Sequence, residues 1–241
     1  MSRIMSFREV LALSFGAMIG WGWVVMSGFW VMSAGSVGAV IAFLVGGGIV
    51  LLVGLTYAEL ASAMPLAGGE HIYSKRAMGS IVSFICTWSI LFGYVSVISF
   101  EAVALPTVLT YLIPNLSHGY LWTILDWDVH ITWVAIGLVG ALLVTLINVL
   151  GIKTAAKLQV LVTSLILISG LILFFGAAEF GQSRNLHPFI TNHMSGFLSV
   201  LVMVPFMFVG FDVIPQAAQE IDIPFNKIGQ TIIISIVMAI T

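Results

Sequence analysis

Long uncharged stretches separated by short polar ones organise this chain, and within each stretch the apolar residues run continuously instead of alternating with a period of two. Six stretches, residues 10–32, 37–58, 81–100, 131–150, 158–178 and 196–211, reach or approach the roughly 20 residues that a helix needs to cross a bilayer. A seventh starts at Ile228 and runs to Thr241, the last residue of the sequence. A spanning β-barrel shows short segments of alternating polarity, and only helices and closed barrels satisfy every backbone group in lipid. The pattern therefore predicts an all-α integral membrane bundle with the lipid bilayer as its solvent.

Composition sharpens this. Of the 241 residues 60% are hydrophobic and 7% are charged, and the mean hydropathy is +1.15, against about 25% charged residues in soluble domains. "SAG" at residues 33–35 has the small residues of a signal-peptide cleavage site, but the apolar run before it exceeds the roughly 7–15 residues of a signal core. The first stretch is read as retained.

The basic residues orient the chain. Arg3 and Arg8 precede the first stretch, Lys75 and Arg76 follow the second, Lys153 and Lys157 follow the fourth and Lys227 follows the sixth, leaving Arg184 alone on the other side. The positive-inside rule then puts the N-terminus in the cytoplasm of a multi-pass protein of the cell (plasma or inner) membrane. The loop 114–130 carries Asp126 and Asp128 and no Lys or Arg, as an outer loop should. A net charge of -2 gives no footprint for a nucleic-acid partner. The single Cys86 falls inside a stretch, where packing is its simplest role, and nothing in the sequence marks a particular oligomeric state. His71, His118, His130, His187 and His193 fall in predicted loops without the spacing of a zinc enzyme, so no metal site and no cofactor is expected.

One stretch is weak where a span should be strong. "GAMIGWGW", residues 16–23, puts Gly16, Gly20 and Gly22 in one helix, at a cost of about 1 kcal/mol each relative to alanine. A dinucleotide loop is excluded, because the order is G-x-x-x-G-x-G with no preceding strand. Two readings remain. Gly16 and Gly20 form a small-xxx-small pair for close helix packing, or the helix is deliberately broken, exposing backbone groups to a polar ligand. The sixth stretch favours the second: in "VPFMFVGFDVIPQAAQEID", residues 204–222, Pro205, Gly210 and Pro215 interrupt an apolar run that also contains Asp212. Breakers five helices apart match the offset of an inverted repeat.

These motifs, with "GLTYAELASAMPLAGGEHIYSKRAMG" at 54–79 and "FVGFDVIPQAAQEIDIPFNKIG" at 208–229, resemble an amino acid permease of the amino acid-polyamine-organocation superfamily. The resemblance implies a leucine-transporter-type fold of five-plus-five inverted repeats, with residues 1–180 as the first repeat and 181–241 as helix 6 and part of helix 7. Relatives of about twelve spans make the chain read as truncated after the start of the seventh helix. The implied function is secondary transport of an amino acid or related small amine by alternating access, coupled to H+ or Na+.

By the same resemblance the cargo's carboxylate would meet the backbone of Gly20, Trp21 and Gly22. Its amino group would meet carbonyls at Met18 and Ile19 and around Phe206 and Val209, beside Gly210. Trp21 stands where many relatives have Ser or Thr, so a hydroxyl is missing and an indole would narrow the pocket. Tyr94 lies in the pocket-lining third span, its hydroxyl serving either cargo or a neighbouring helix. Asp212 is a coupling or gating residue or a structural carboxylate. Glu101 is read as a structural hydrogen-bonding group toward the outer vestibule, and Glu70 as part of a solvated ion-pair network with Lys75 and Arg76 or of a cytoplasmic gate. Relatives that place a Lys in the fifth span are not matched; Thr163 and Ser164 stand there, so either hydroxyls support a Na+ site or coupling works otherwise. Gly46, Gly47 and Gly48 are expected to pack helices. Two alternatives from other classes are a membrane-embedded enzyme, for which no nucleophile, base or metal constellation has recognisable spacing, and a non-transporting assembly or regulatory fragment.

Overall fold

A computed structural model describes residues 5–124 and 126–241. Arg3, one of the residues that orient the chain, lies outside the described residues. In chain order the helices are α1 (Phe7–Met18), α2 (Trp21–Ala34), α3 (Ser36–Ala63) and α4 (Glu70–Leu112), then the strands β1 (Tyr120–Ile124) and β2 (Trp127–His130), then α5 (Ile131–Val149), α6 (Ile152–Phe180), α7 (His193–Leu201), α8 (Val204–Met207), α9 (Val213–Gln216) and α10 (Phe225–Ile240).

Among the described residues four helices, α3 to α6, are long and apolar enough to cross a membrane, and α1 with α2 makes a fifth candidate bent by 44° at its break. Their large apolar side chains, such as Phe92, Leu142, Leu173 and Phe174, are exposed, as a lipid-facing surface requires.

The sixth stretch differs from the expected near-continuous span. It is divided into α7 and α8, with the short α9 following it, and even α7 and α8 together, His193–Met207, are shorter than a span. Pro205 is the second residue of α8 and cannot donate to the turn before it. Gly210 has φ +127°, outside any helix.

The third stretch is longer than predicted. Residues 70–80, expected as loop, are helical, because Gly68 and Gly69 take positive φ and let the chain turn directly into α4. A kink at Gly79, φ +83°, separates this segment from the rest. The outer loop contains the antiparallel β1–β2 hairpin, in which Thr123 Oγ1 donates to Asp128 Oδ1 at 2.6 Å.

The core lies where α10 packs along α3. Ile228, Ile232 and Ile236, one turn apart, are fully buried. A Cβ at Gly47 would lie 2.6 Å from Ile240, one at Gly229 would lie 2.6 Å from the Ala58 carbonyl, and one at Gly46 would lie 2.6 Å from Val204. Gly46 and Gly47 thus pack helices as expected, whereas Gly48 meets nothing within 4 Å. Met5 N–H and C=O pair with Glu220 and Asp222, tying the start of the chain to the end of the sixth segment.

Candidate functional site

The helix α1 stops at Met18, and Ile19 (φ -103°, ψ 104°) and Gly20 (φ -125°, ψ -169°) are extended before α2 resumes at Trp21. A restarting helix leaves its first N–H groups without intrahelical partners and its positive dipole end exposed. Both are met by one side chain. Glu101 of α4 accepts the Trp21 N–H at 2.8 Å through Oε2 and the Gly22 N–H at 3.3 Å through Oε1. The glycines make room for this: a Cβ at Gly20 would collide with the Glu101 carboxylate, and one at Gly22 would lie 2.5 Å from the Phe100 ring. Gly16 faces elsewhere, where a Cβ would collide with Gln159 of α6. Gly16 and Gly20 therefore serve different helices, not one shared seam.

The second interruption runs between α8 and α9. Its Gly210 touches the first: a Cβ there would lie 2.7 Å from the Ala17 carbonyl carbon. Asp212 folds back on its own turn, Oδ1 accepting the Gly210 N–H at 3.1 Å, while Oδ2 accepts the Tyr94 hydroxyl at 2.6 Å. Gln216 Nε2 donates to the Tyr94 hydroxyl oxygen at 2.9 Å and to Glu70 Oε2 at 3.3 Å. Tyr94 and Glu101 are seven residues, two helical turns or about 10.5 Å, apart on α4. That helix thus holds one interruption with each side chain.

Aromatic side chains close one flank. Trp23 Nε1 donates to the Met18 carbonyl at 2.8 Å, and its ring lies 5.7 Å from Trp30, 5.2 Å from Phe43 and 5.8 Å from Phe208. Phe206 stacks edge-to-face on Phe100 at 5.6 Å. The Phe206 carbonyl accepts the Val209 N–H at 3.2 Å, closing the turn before Gly210.

Of the residues singled out from sequence, Met18, Ile19, Gly20, Trp21 and Gly22 lie on the first interruption and Phe206, Val209, Gly210 and Asp212 on or beside the second, with Tyr94 bonded to Asp212. Several expectations need correction. Among the described residues Trp21 is 46% exposed, and Trp23, two residues on and about 200° around the helix, is the indole that packs among Trp30, Phe43 and Phe208. Glu70 is not in a solvated ion-pair network. It is buried in the first turn of α4 beside Gln216, while Lys75 and Arg76 are exposed. His71 is within α4, its Nδ1 2.9 Å from Thr87 Oγ1, and His193 begins α7. Thr163 is buried and donates to the Ala12 carbonyl at 3.2 Å, whereas Ser164 is exposed and donates to Val160 of its own helix.

Glu101 and Gln216 belong to this constellation but were not read as site residues. The seven-residue spacing of Tyr94 and Glu101 along one helix was the available signal for the first. Gln216 has none, since only folding brings it to Tyr94.

Apolar helices of spanning length, one of them interrupted beside a second interrupted segment, define a multi-pass helical membrane protein. Residues 9–241 match the family model described as "Amino acid permease", and the chain belongs to that family. It is 29% identical over 249 residues to the amino-acid permease RocC of Bacillus subtilis (strain 168), an alignment covering 96% of this chain and 50% of the relative. It is 27% identical over 245 residues to the branched-chain amino acid permease BcaP of the same organism, covering 95% of this chain and 50% of the relative. The aspartate-proton symporter of that organism is 27% identical over 241 residues, covering 98% and 45%. The chain spans about half the length of these relatives. They are permeases and transporters, not enzymes.

Proposed function

We propose that this chain forms the cargo-holding half of a secondary transporter for an amino acid or related small amine, working by alternating access within a five-plus-five inverted repeat. The observation that carries the reading is the meeting of the two interrupted segments at Ala17 and Gly210. Interrupted helices leave main-chain donors and acceptors in a region where lipid offers none, and such irregular backbone persists in a membrane only where it is buried in protein or lines a cavity. A small polar cargo would exchange its hydrogen bonds with water for bonds to these groups. The carbonyls at Met18, Ile19, Phe206 and Val209 suit an ammonium group, since a carbonyl that already accepts one bond keeps a second lone pair.

Alternating access needs elements that join and part at the site. The chain Glu70–Gln216–Tyr94–Asp212 links the first turn of α4 to the second interruption, and a change in the protonation of Asp212 or in its bond to Tyr94 would alter that link. We assign Asp212 to coupling or gating on this basis, with H+ as the coupling ion. The N-terminus is cytoplasmic, by the distribution of basic residues.

Reconstitution of the full-length gene product in liposomes tests the function. At least one member of a panel of labelled amino acids and amines is expected to enter saturably and to respond to an imposed pH gradient. Saturable uptake of none, under either H+ or Na+ gradients, contradicts the reading.

A further inference from the structure

The β1–β2 hairpin has two unlike faces. Directly paired residues share a face of a two-stranded sheet and successive residues take opposite faces. The pairs Trp122–Val129 and Ile124–Trp127 therefore line one side, and Thr123–Asp128 the other. A register irregularity between Tyr120 and Trp122 shifts Tyr120, paired with His130, onto the side of Thr123. There the Thr123 hydroxyl donates to Asp128 Oδ1 at 2.6 Å and accepts from the Tyr120 hydroxyl at 3.0 Å. The opposite face carries only apolar residues among those described, and Trp122, Ile124 and Trp127 are each about half exposed on it.

This hairpin is mounted firmly on a spanning helix. β2 runs into α5 without a linker, and the Ile131 N–H donates to the Gly119 carbonyl at 2.7 Å. The Thr132 hydroxyl accepts the His118 N–H at 2.9 Å and donates to the Leu116 carbonyl at 2.6 Å, tying the base of the hairpin to the first turn of α5. On the apolar face Val129 is buried, and the Trp127 ring lies 6.3 Å from that of Trp133, two residues or about 3 Å into α5. Val134, the next residue, opens the exposed row Val134, Leu138 and Leu142, one turn apart, so the apolar face adjoins the lipid-facing side of α5. It stands at the level where a spanning helix leaves the hydrocarbon, which the part-polar ring of tryptophan prefers. Residues 114–130 hold no Lys or Arg. Nothing in the loop favours an anionic partner, and Asp126 and Asp128 oppose one.

We propose that the hairpin is an interfacial anchor, its apolar face lying in the headgroup region of uncharged or zwitterionic lipid at the outer end of α5 while Thr123, Asp128 and His130 face water. A two-stranded hairpin is marginal by itself in water, and lipid supplies the packing that its apolar face lacks. Through the ties at Gly119, Leu116 and His118 the anchor fixes the depth at which α5 enters the bilayer. The inference is independent of the cargo site.

The test compares the two faces with one environment-sensitive fluorophore. Ile124→Cys and Asp128→Cys, each in an otherwise cysteine-free full-length gene product, are labelled with a nitrobenzoxadiazole maleimide and placed in phosphatidylcholine nanodiscs, with thermal melting to establish folding. At position 124 the emission should shift to the blue, and phosphatidylcholine carrying a nitroxide near its headgroup should quench it severalfold more strongly than at position 128. Aqueous iodide should show the opposite preference. Iodide quenching at position 124 equal to that at position 128 puts the face in water and overturns the inference. Quenching at position 124 by neither agent overturns it as well, because protein, either further chain or a second copy, then covers the face. A label-free measurement guards against a variant that fails to fold. Brominated phosphatidylcholine should quench part of the native tryptophan emission, and the conservative double variant Trp122→Phe, Trp127→Phe should lose much of that quenched part. An unchanged quenched part in the double variant overturns the inference.

Discussion

Tyr94 and Asp212, 118 residues apart in sequence, meet in a 2.6 Å hydrogen bond between the phenol and Oδ2 of the carboxylate. Because Asp212 also holds the Gly210 N–H, this single contact fixes the turn of the second interruption against α4. Tyr94→Phe keeps the ring and removes the donor to Asp212 together with the acceptor for Gln216. It should destabilise the protein by about 1–3 kcal/mol, the cost of leaving such groups unsatisfied, read as a lower melting temperature in detergent. An unchanged melting temperature would show that the contact does not hold the turn.

Asp212→Asn retains the shape and can no longer change charge, and its single amide oxygen can accept from Tyr94 or from the Gly210 N–H but not from both. If Asp212 carries the coupling proton, this variant should bind cargo with near-native affinity while its uptake rate loses dependence on pH. The comparison is initial uptake across a pH series for both forms. A native-like pH profile would assign Asp212 a structural role.

The glycines of α3 supply an internal control for packing. Gly47→Leu drives a side chain into Ile240 and should cost about 1–3 kcal/mol through overpacking. Gly48→Leu enters open space and should instead gain up to about 1 kcal/mol from helix propensity. Thermal denaturation of the two variants side by side checks the register of α3 against α10. Equal effects would contradict it.

Gly210→Ala should be among the most damaging small substitutions. It imposes a Cβ on a residue at φ +127° and pushes that atom to 2.7 Å from the Ala17 backbone. Gly16→Ala meets only the movable end of the Gln159 side chain and the Thr163 hydroxyl, and should be milder. Expression level and melting temperature rank the pair, and a milder Gly210→Ala would separate the two interruptions.

Orientation is tested by cysteine labelling in a Cys86→Ala background. Ser117, exposed in the loop before the hairpin, should react with an impermeant maleimide from outside the cell, and exposed Lys75 should not. Ser74, its neighbour, is a poor reporter because it is buried and bonded to the Glu70 carbonyl at 2.6 Å. The reverse pattern would invert the topology.

The helical membrane class was legible because apolar continuity over a span length is a long-range signal that no local detail cancels. The positions where the helices are interrupted were also legible: Gly20, Pro205 and Gly210 each act on their own backbone. What those interruptions bind is a different matter. Glu101 and Trp21 lie 80 residues apart, and their contact depends on how α4 crosses α2, which no local pattern encodes. Packing and breakage are not exclusive at Gly20, which is extended in backbone and also leaves room for the approach of Glu101. Glu70 was misread because charge proximity in sequence, to Lys75 and Arg76, says nothing about the burial imposed by α9.

The most direct test of the account is protection of the interruption by cargo. A single cysteine at Val209, half-buried beside Gly210, is exposed to a small water-soluble thiol reagent in the Cys86→Ala full-length protein, with and without a saturating amount of the amine or amino acid that the liposome assay shows to be taken up. Cargo should slow modification at position 209 severalfold and leave a cysteine at Ser117 unaffected. Equal rates at position 209 with and without bound cargo would contradict the claim that the two interrupted segments hold it.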